Sequence, residues 1–135
     1  MRSETNVLSN VWWPVRVDDA STERVLALWL NSSLGVLTIV AQRASTEGGW
    51  VALKKADLKK LPVLDTRRLS SAQRQDLLRL FDQIVDAQFQ RLPAMHHCPA
   101  RRSLDNALAQ ILKLPNLTTL RHLLATEPTI SNHPL

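Results

Sequence analysis

An uncharged run of 18 residues, 25–42, constrains the fold of this chain more than any other feature. Its length is at the lower limit of a membrane-spanning helix. Two serines, an asparagine and a threonine lie within it, however, and a buried helix of a soluble domain explains it better. Leucine, valine and tryptophan recur at spacings of three and four, and the other faces are also apolar. The pattern predicts one helix over 22–43 that is buried on more than one side.

Three short apolar segments predict strands. They are 10–17, which is rich in Trp and Val, 50–53, which alternates, and 62–64. β-Branched and aromatic residues favour strands. We therefore expect an α/β (α+β) fold, in which a small short-stranded sheet packs against the long buried helix. Gly35 lies where a close neighbour approaches the backbone of that helix.

Helix signals follow in the second half of the chain. Residues 55–60 form a helical turn, and Ser70 with Gln73 forms a capping box at the start of a helix that ends near Arg91. Apolar residues spaced by three and four predict a helix over 99–112 and a short final helix over 117–124.

These elements predict three parts. They are an α/β body over 1–92, a linker over 93–98 and a helical extension over 99–135. Two short helices cannot bury their apolar faces alone. The extension therefore packs on the body or on a partner.

The net charge of +5 is concentrated in one segment. Residues 54–79 carry eight basic and three acidic residues, and the rest of the chain sums to zero. Concentrated positive charge is typical of polyanion binding, because neutralised phosphates release condensed counterions. The alternative is a solvated basic surface that keeps the protein in solution. The candidate DNA contacts are Lys54, Lys55, Lys59, Lys60, Arg67 and Arg68.

These cations have different predicted roles. Lysines contact phosphates through flexible ammonium groups. The two arginines lie in a turn, where a forked guanidinium clamps phosphate or reads guanine. Trp12, Trp13 and Trp50 either stack on bases or cover the sheet, and the second role is the commoner one for tryptophan.

Catalytic and metal-binding patterns are missing from the sequence. His96, His97 and Cys98 are adjacent on the linker, and adjacent residues rarely chelate one ion well. Cys98 as a nucleophile needs a base and an orienting group, which no spacing supplies. The only cysteine also allows no intramolecular disulfide. We expect no catalytic residue, no metal and no cofactor, and a reducing cytoplasm as the natural setting.

Three patterns within residues 10–90 resemble a known family. They are Leu30-Asn31-Ser32 in a helix, the run Leu58-Lys59-Lys60-Leu61-Pro62-Val63-Leu64, and a helix start that carries glutamine at 70–75. Together they resemble the C-terminal part of target-recognition domains. Such domains occur in type I restriction specificity subunits and at the C-terminal ends of adenine-N6 DNA methyltransferases. The tail over 99–130 looks like the helical extension that follows this module in some long methyltransferases.

The resemblance implies a non-catalytic, DNA-binding module of a restriction-modification or DNA-methylation system. Duplex DNA and a methyltransferase or restriction subunit are the implied partners. The chain carries no Pro-Pro motif and no glycine-rich cofactor loop, and it matches only the last portion of a recognition domain. Asn31 and Ser32 are expected to pack helices rather than to contact DNA. The alternative is a scaffold that docks on a methyltransferase subunit or on a second copy of itself.

Overall fold

The computed structural model describes residues 17–42 and 55–128. Over these two segments the chain is all-helical and contains no strand, so the predicted α/β fold with a sheet is wrong. The elements are α1 (Ala20–Asn31), α2 (Ser33–Ala41), α3 (Lys55–Leu58), α4 (Ser71–Ile84), α5 (Pro99–Leu112), α6 (Thr118–Thr126) and the 3-10 turns Thr66–Arg68 and Leu92–His97.

One of the three segments predicted as strands lies wholly within the described residues, and it forms no strand. Residues 10–16 and 50–53 lie outside the described residues, whereas 62–64 are described and have no regular secondary structure. A strand needs a neighbour to satisfy its backbone groups, and Pro62 has no N–H group to offer. Leu64 instead packs against the helical core, while Val63 is exposed. This segment is therefore a loop that packs on the helices through Leu64.

The uncharged run forms two helices rather than the single helix predicted over 22–43. α1 and α2 are bent by 75° at Ser32. The Ser32 hydroxyl donates to the carbonyl of Trp29 (2.6 Å) and accepts from the amide of Gly35 (3.2 Å), so one side chain ends α1 and caps α2. Among the described residues no single helix is long and apolar enough to cross a membrane, and the bent pair qualifies by length and composition only.

Gly35 allows the two helices to approach at this bend. A Cβ atom there would lie 2.3 Å from the carbonyl oxygen of Trp29 and 2.5 Å from the Cα of Leu30. Both are backbone atoms, which cannot move aside without opening the bend. The expected close neighbour of Gly35 is therefore the last turn of α1, not a sheet.

α1, α4 and α5 share one apolar core. Its buried residues come in pairs from the three helices: Val25, Leu28, Leu77, Leu80, Leu104 and Leu108. The predicted capping box at the start of α4 is confirmed, and α5 spans the predicted 99–112. α4 ends at Ile84 rather than near Arg91, and residues 87–91 have no regular structure.

A second cluster lies on the other side of the bend. Val36 and Val40 of α2 pack with Met95 of the turn Leu92–His97 and with Leu124 and Ala125 of α6. Met95 and the neighbouring Cys98 are fully buried, so much of the segment expected as a linker contributes to the interior.

Candidate nucleic-acid interface

The basic segment, residues 54–79, contains α3 and continues into the first turns of α4. Four of the six candidate contacts have described side chains, namely Lys59, Lys60, Arg67 and Arg68, and all four are exposed. Leu64 and Leu69 lie on either side of the turn Thr66–Arg68, and both pack against the three-helix core. These apolar contacts fix the segment on the helices and leave its charged side chains in solvent.

Arg74 joins the turn to two helices. Its Nη2 donates to the carbonyl of Thr66 (2.9 Å), and its Nη1 donates to the hydroxyl of Ser21 (2.9 Å). Ser21 is in the first turn of α1 and Arg74 in the first turn of α4. Arg74 belongs to the basic segment in sequence, but its hydrogen bonds make it a positioning residue for the turn. No sequence pattern indicated this role for Arg74.

Arg67 forms a two-pronged pair with Asp65. Its Nε donates to Oδ1 (2.9 Å) and its Nη2 to Oδ2 (3.2 Å). These hydrogen bonds raise the pKa of Arg67 and lower the pKa of Asp65, because each stabilises the charged form of both groups. The Arg67 side chain is 89% exposed. A pair this exposed is weak, so a phosphate can compete with Asp65 for the guanidinium.

Lys59, Lys60 and Arg68 remain without such a partner. Within the described segments, no hydrogen bond or ion pair involves their side chains, and none joins the lysines to the arginines. Farther along, Arg79 is paired with Asp76 on the exposed face of α4 (3.3 Å). Within the basic segment, the cations available to a polyanion are therefore those before α4.

Some predicted contacts lie outside the described residues. Lys54 and the predicted base-stacking Trp12, Trp13 and Trp50 fall there, and only the backbone of Lys55 is described. Trp29, the remaining tryptophan, lies in α1, and its Nε1 is buried without a hydrogen-bond partner among the described residues.

A buried polar network lies at the bend between α1 and α2. The Asp105 carboxylate of α5 accepts from the amide and the hydroxyl of Ser33 (2.8 and 2.7 Å) and from Nη1 of Arg121 (2.8 Å). All three residues are at most 1% exposed. The predicted role of the Asn31-Ser32 pair in packing agrees with this geometry, since Ser32 is also fully buried. No sequence pattern indicated the network, because Asp105 resembles any surface acid of an amphipathic helix.

Three histidines meet where α6 packs on the turn Leu92–His97. The ring centroid of His96 lies 3.8 Å from that of His97 and 5.5 Å from that of His122. No group of three His, Cys, Asp or Glu side chains in the described ranges is arranged to hold a metal ion. Cys98 is fully buried, and its Sγ accepts from the amides of Gln90 (3.4 Å) and Arg101 (3.5 Å). It therefore caps α5.

The packing of His96 predicts loss of stability in mild acid. Burial, and then the neighbouring His97 and His122, lower the pKa of His96 from 6.5. The unfolded chain therefore binds more protons than the folded one just below pH 6.5, and the free energy of unfolding falls as the pH falls through that range. Urea unfolding between pH 7.5 and 5.0 should show this slope. His96→Gln should flatten it, and an unchanged slope in that variant would contradict the assignment.

Comparison with protein-family models, with curated proteins and with solved structures finds no match for this chain. The arrangement of the described residues must therefore carry any functional argument. It comprises an exposed basic segment fixed on a three-helix core, and a buried polar network at the bend between α1 and α2.

Proposed function

We propose that the chain is a non-catalytic DNA-binding module of a restriction-modification or DNA-methylation system. The observation that carries this proposal is that some cations are bonded inside the protein while others are exposed and unpaired. Arg74, Arg101 and Arg121 form hydrogen bonds inside the protein, whereas Lys59, Lys60 and Arg68 are exposed and unpaired within the described segments. A solvated basic surface needs no such anchoring of its turn.

The two kinds of cation suit different contacts. Lys59 and Lys60 offer mobile point charges that neutralise phosphates and position the protein on the duplex. Arg68 presents a planar fork in a turn anchored by Arg74, and Arg67 is preoriented by Asp65. Anchored forks lose less side-chain freedom on binding than free ones. We therefore expect Arg67 and Arg68, rather than the lysines, to make any contacts with bases.

Charge reversal of both lysines should weaken duplex binding and flatten its salt dependence. Each phosphate contact contributes about 0.9 to the slope of log affinity against log salt, so Lys59→Glu with Lys60→Glu should lower the slope by about 2. Fluorescence anisotropy with a labelled duplex, measured at several salt concentrations, gives the slope directly.

A matched variant separates local contacts from overall charge. Arg91 and Arg102 are exposed and distant in sequence from the basic segment, and reversing both changes the net charge equally. This control should keep the wild-type slope. Equal slopes in wild type and the lysine variant would overturn the proposal.

Docking on a partner subunit or a second copy is the alternative function. It is favoured by three large apolar side chains that are exposed, Leu37, Val63 and Leu123. They lie on α2, on the loop before α4 and on α6. Light scattering that shows a dimer, together with no DNA binding at moderate salt, would favour this alternative over DNA binding.

A further inference from the structure

A cavity of about 400 Å³ forms a groove along α1. One wall runs the length of α1 from Ala20 to Asn31, and Phe81 and Ile84 of α4 face it. With a rise of 1.5 Å per residue, the wall is about 16 Å long. Val85, Phe89 and Leu104 complete the lining. Its volume is within the range of sites for small organic molecules.

Arg101 lies behind the Asn31 wall of this groove. It is 4% exposed, its Nη1 donates to the carbonyl of Asn31, and its guanidinium lies 5.2 Å from the ring centroid of Phe89. Asn31 and Phe89 both line the groove. The Nε of Arg101 has no hydrogen-bond partner among the described residues.

The buried charges behind the groove do not balance. Arg101 and Arg121 are buried cations, and Asp105 is the one buried carboxylate in the described part of the chain. Asp105 is already bonded to Ser33 and Arg121. Burial lowers the pKa of Arg101, and the nearby Asp105 only partly opposes this effect. A buried cation without a full counterion is unfavourable, so this position favours an added anion.

We propose that the groove binds an organic carboxylate, whose apolar body lies along α1 and whose carboxylate neutralises Arg101. Arg101 does not itself line the groove, so binding requires that the Phe89 ring, which is half-buried on a segment without regular structure, moves aside. At the opposite end the lining carries Glu23 as well as Arg24, and Asp82 lies 3.5 Å from Arg24, so no net positive charge favours a carboxylate there. The charge distribution therefore orients the ligand. This site is independent of the proposed DNA interface.

A matched pair of probes tests the proposal. 4-Phenylbutyrate and its neutral amide have the same apolar body, and binding of each is followed by NMR chemical-shift titration of the folded protein. A charge-assisted hydrogen bond should make the acid bind about tenfold more tightly than the amide. The shifts should cluster on α1 and on residues 84–89.

Three variants assign the effect to the groove and to Arg101. Arg101→Met should abolish the preference for the acid, whereas Arg102→Met, on the exposed face of α5, should retain it. Ala27→Phe should block both probes, because Ala27 lines the groove.

Equal binding of acid and amide, or binding of neither, overturns the proposal. Retention of the acid preference in Arg101→Met overturns it as well. If Arg101→Met does not fold, Arg24→Met decides the matter: the acid preference should survive this change, and its loss would assign the preference to Arg24 and overturn the proposal. A groove that rejects both small probes but accepts an acidic peptide would be a protein-docking site instead.

Discussion

Asp105→Asn should destabilise the protein severely. The carboxylate balances the fully buried Arg121 and accepts both hydrogen bonds of Ser33. Removing one partner of a buried ion pair leaves the other charge uncompensated and costs about 3–5 kcal/mol. Since small domains are stable by about 5–15 kcal/mol, urea unfolding followed by circular dichroism should show a large fall in the midpoint.

Two further variants test the mechanism of this loss. Asp86→Asn makes the same chemical change at an exposed site and should leave the midpoint near that of the wild type. Adding Arg121→Met to Asp105→Asn removes the stranded charge and should recover part of the stability. A midpoint for Asp105→Asn that matches Asp86→Asn would contradict the central role of this carboxylate.

Gly35→Ala should also destabilise the protein, although alanine is the better helix former. Helix propensity favours alanine by about 1 kcal/mol. The added methyl group, however, would lie 2.3 Å from a backbone oxygen of α1. Overpacking of this kind costs about 1–3 kcal/mol, and more where the neighbour is backbone. We expect a net loss of stability in the same urea assay and a wider angle between α1 and α2.

Leu37→Ala is the matched control for this change. Leu37 lies on the exposed face of the same helix, and its replacement should alter stability little. A stabilised Gly35→Ala protein would show that the bend can open without cost.

Local sequence patterns predicted the start of α4 and the extent of α5, but not the features that depend on contacts between distant residues. The start of α4 followed from Ser70 and Gln73, because a capping box lies within four residues. α5 followed from the spacing of its leucines and alanines. The bend at Ser32 was missed because an uncharged run reads as continuous helix. It depends on a serine hydroxyl, on a glycine and on an aspartate 72 residues away.

The prediction of an α/β fold was wrong for a related reason. Short apolar segments such as 62–64 fit either a strand or a loop that covers helices, and only the neighbours decide. The resemblance to recognition domains added weight to the sheet. For the candidate interface, the sequence located the exposed Lys59, Lys60 and Arg68. It did not predict that Arg74 positions the turn, because the hydrogen bonds of Arg74 to Thr66 and Ser21 depend on how the helices pack.

The reach of Asp105 across the chain limits how this protein can be divided. A version that stops before residue 105 would lack the carboxylate that accepts hydrogen bonds from the amide and the hydroxyl of Ser33. Such a truncated chain should not maintain the bend between α1 and α2. Two separately expressed fragments, divided between α4 and α5, should instead associate when mixed and fold only as a complex.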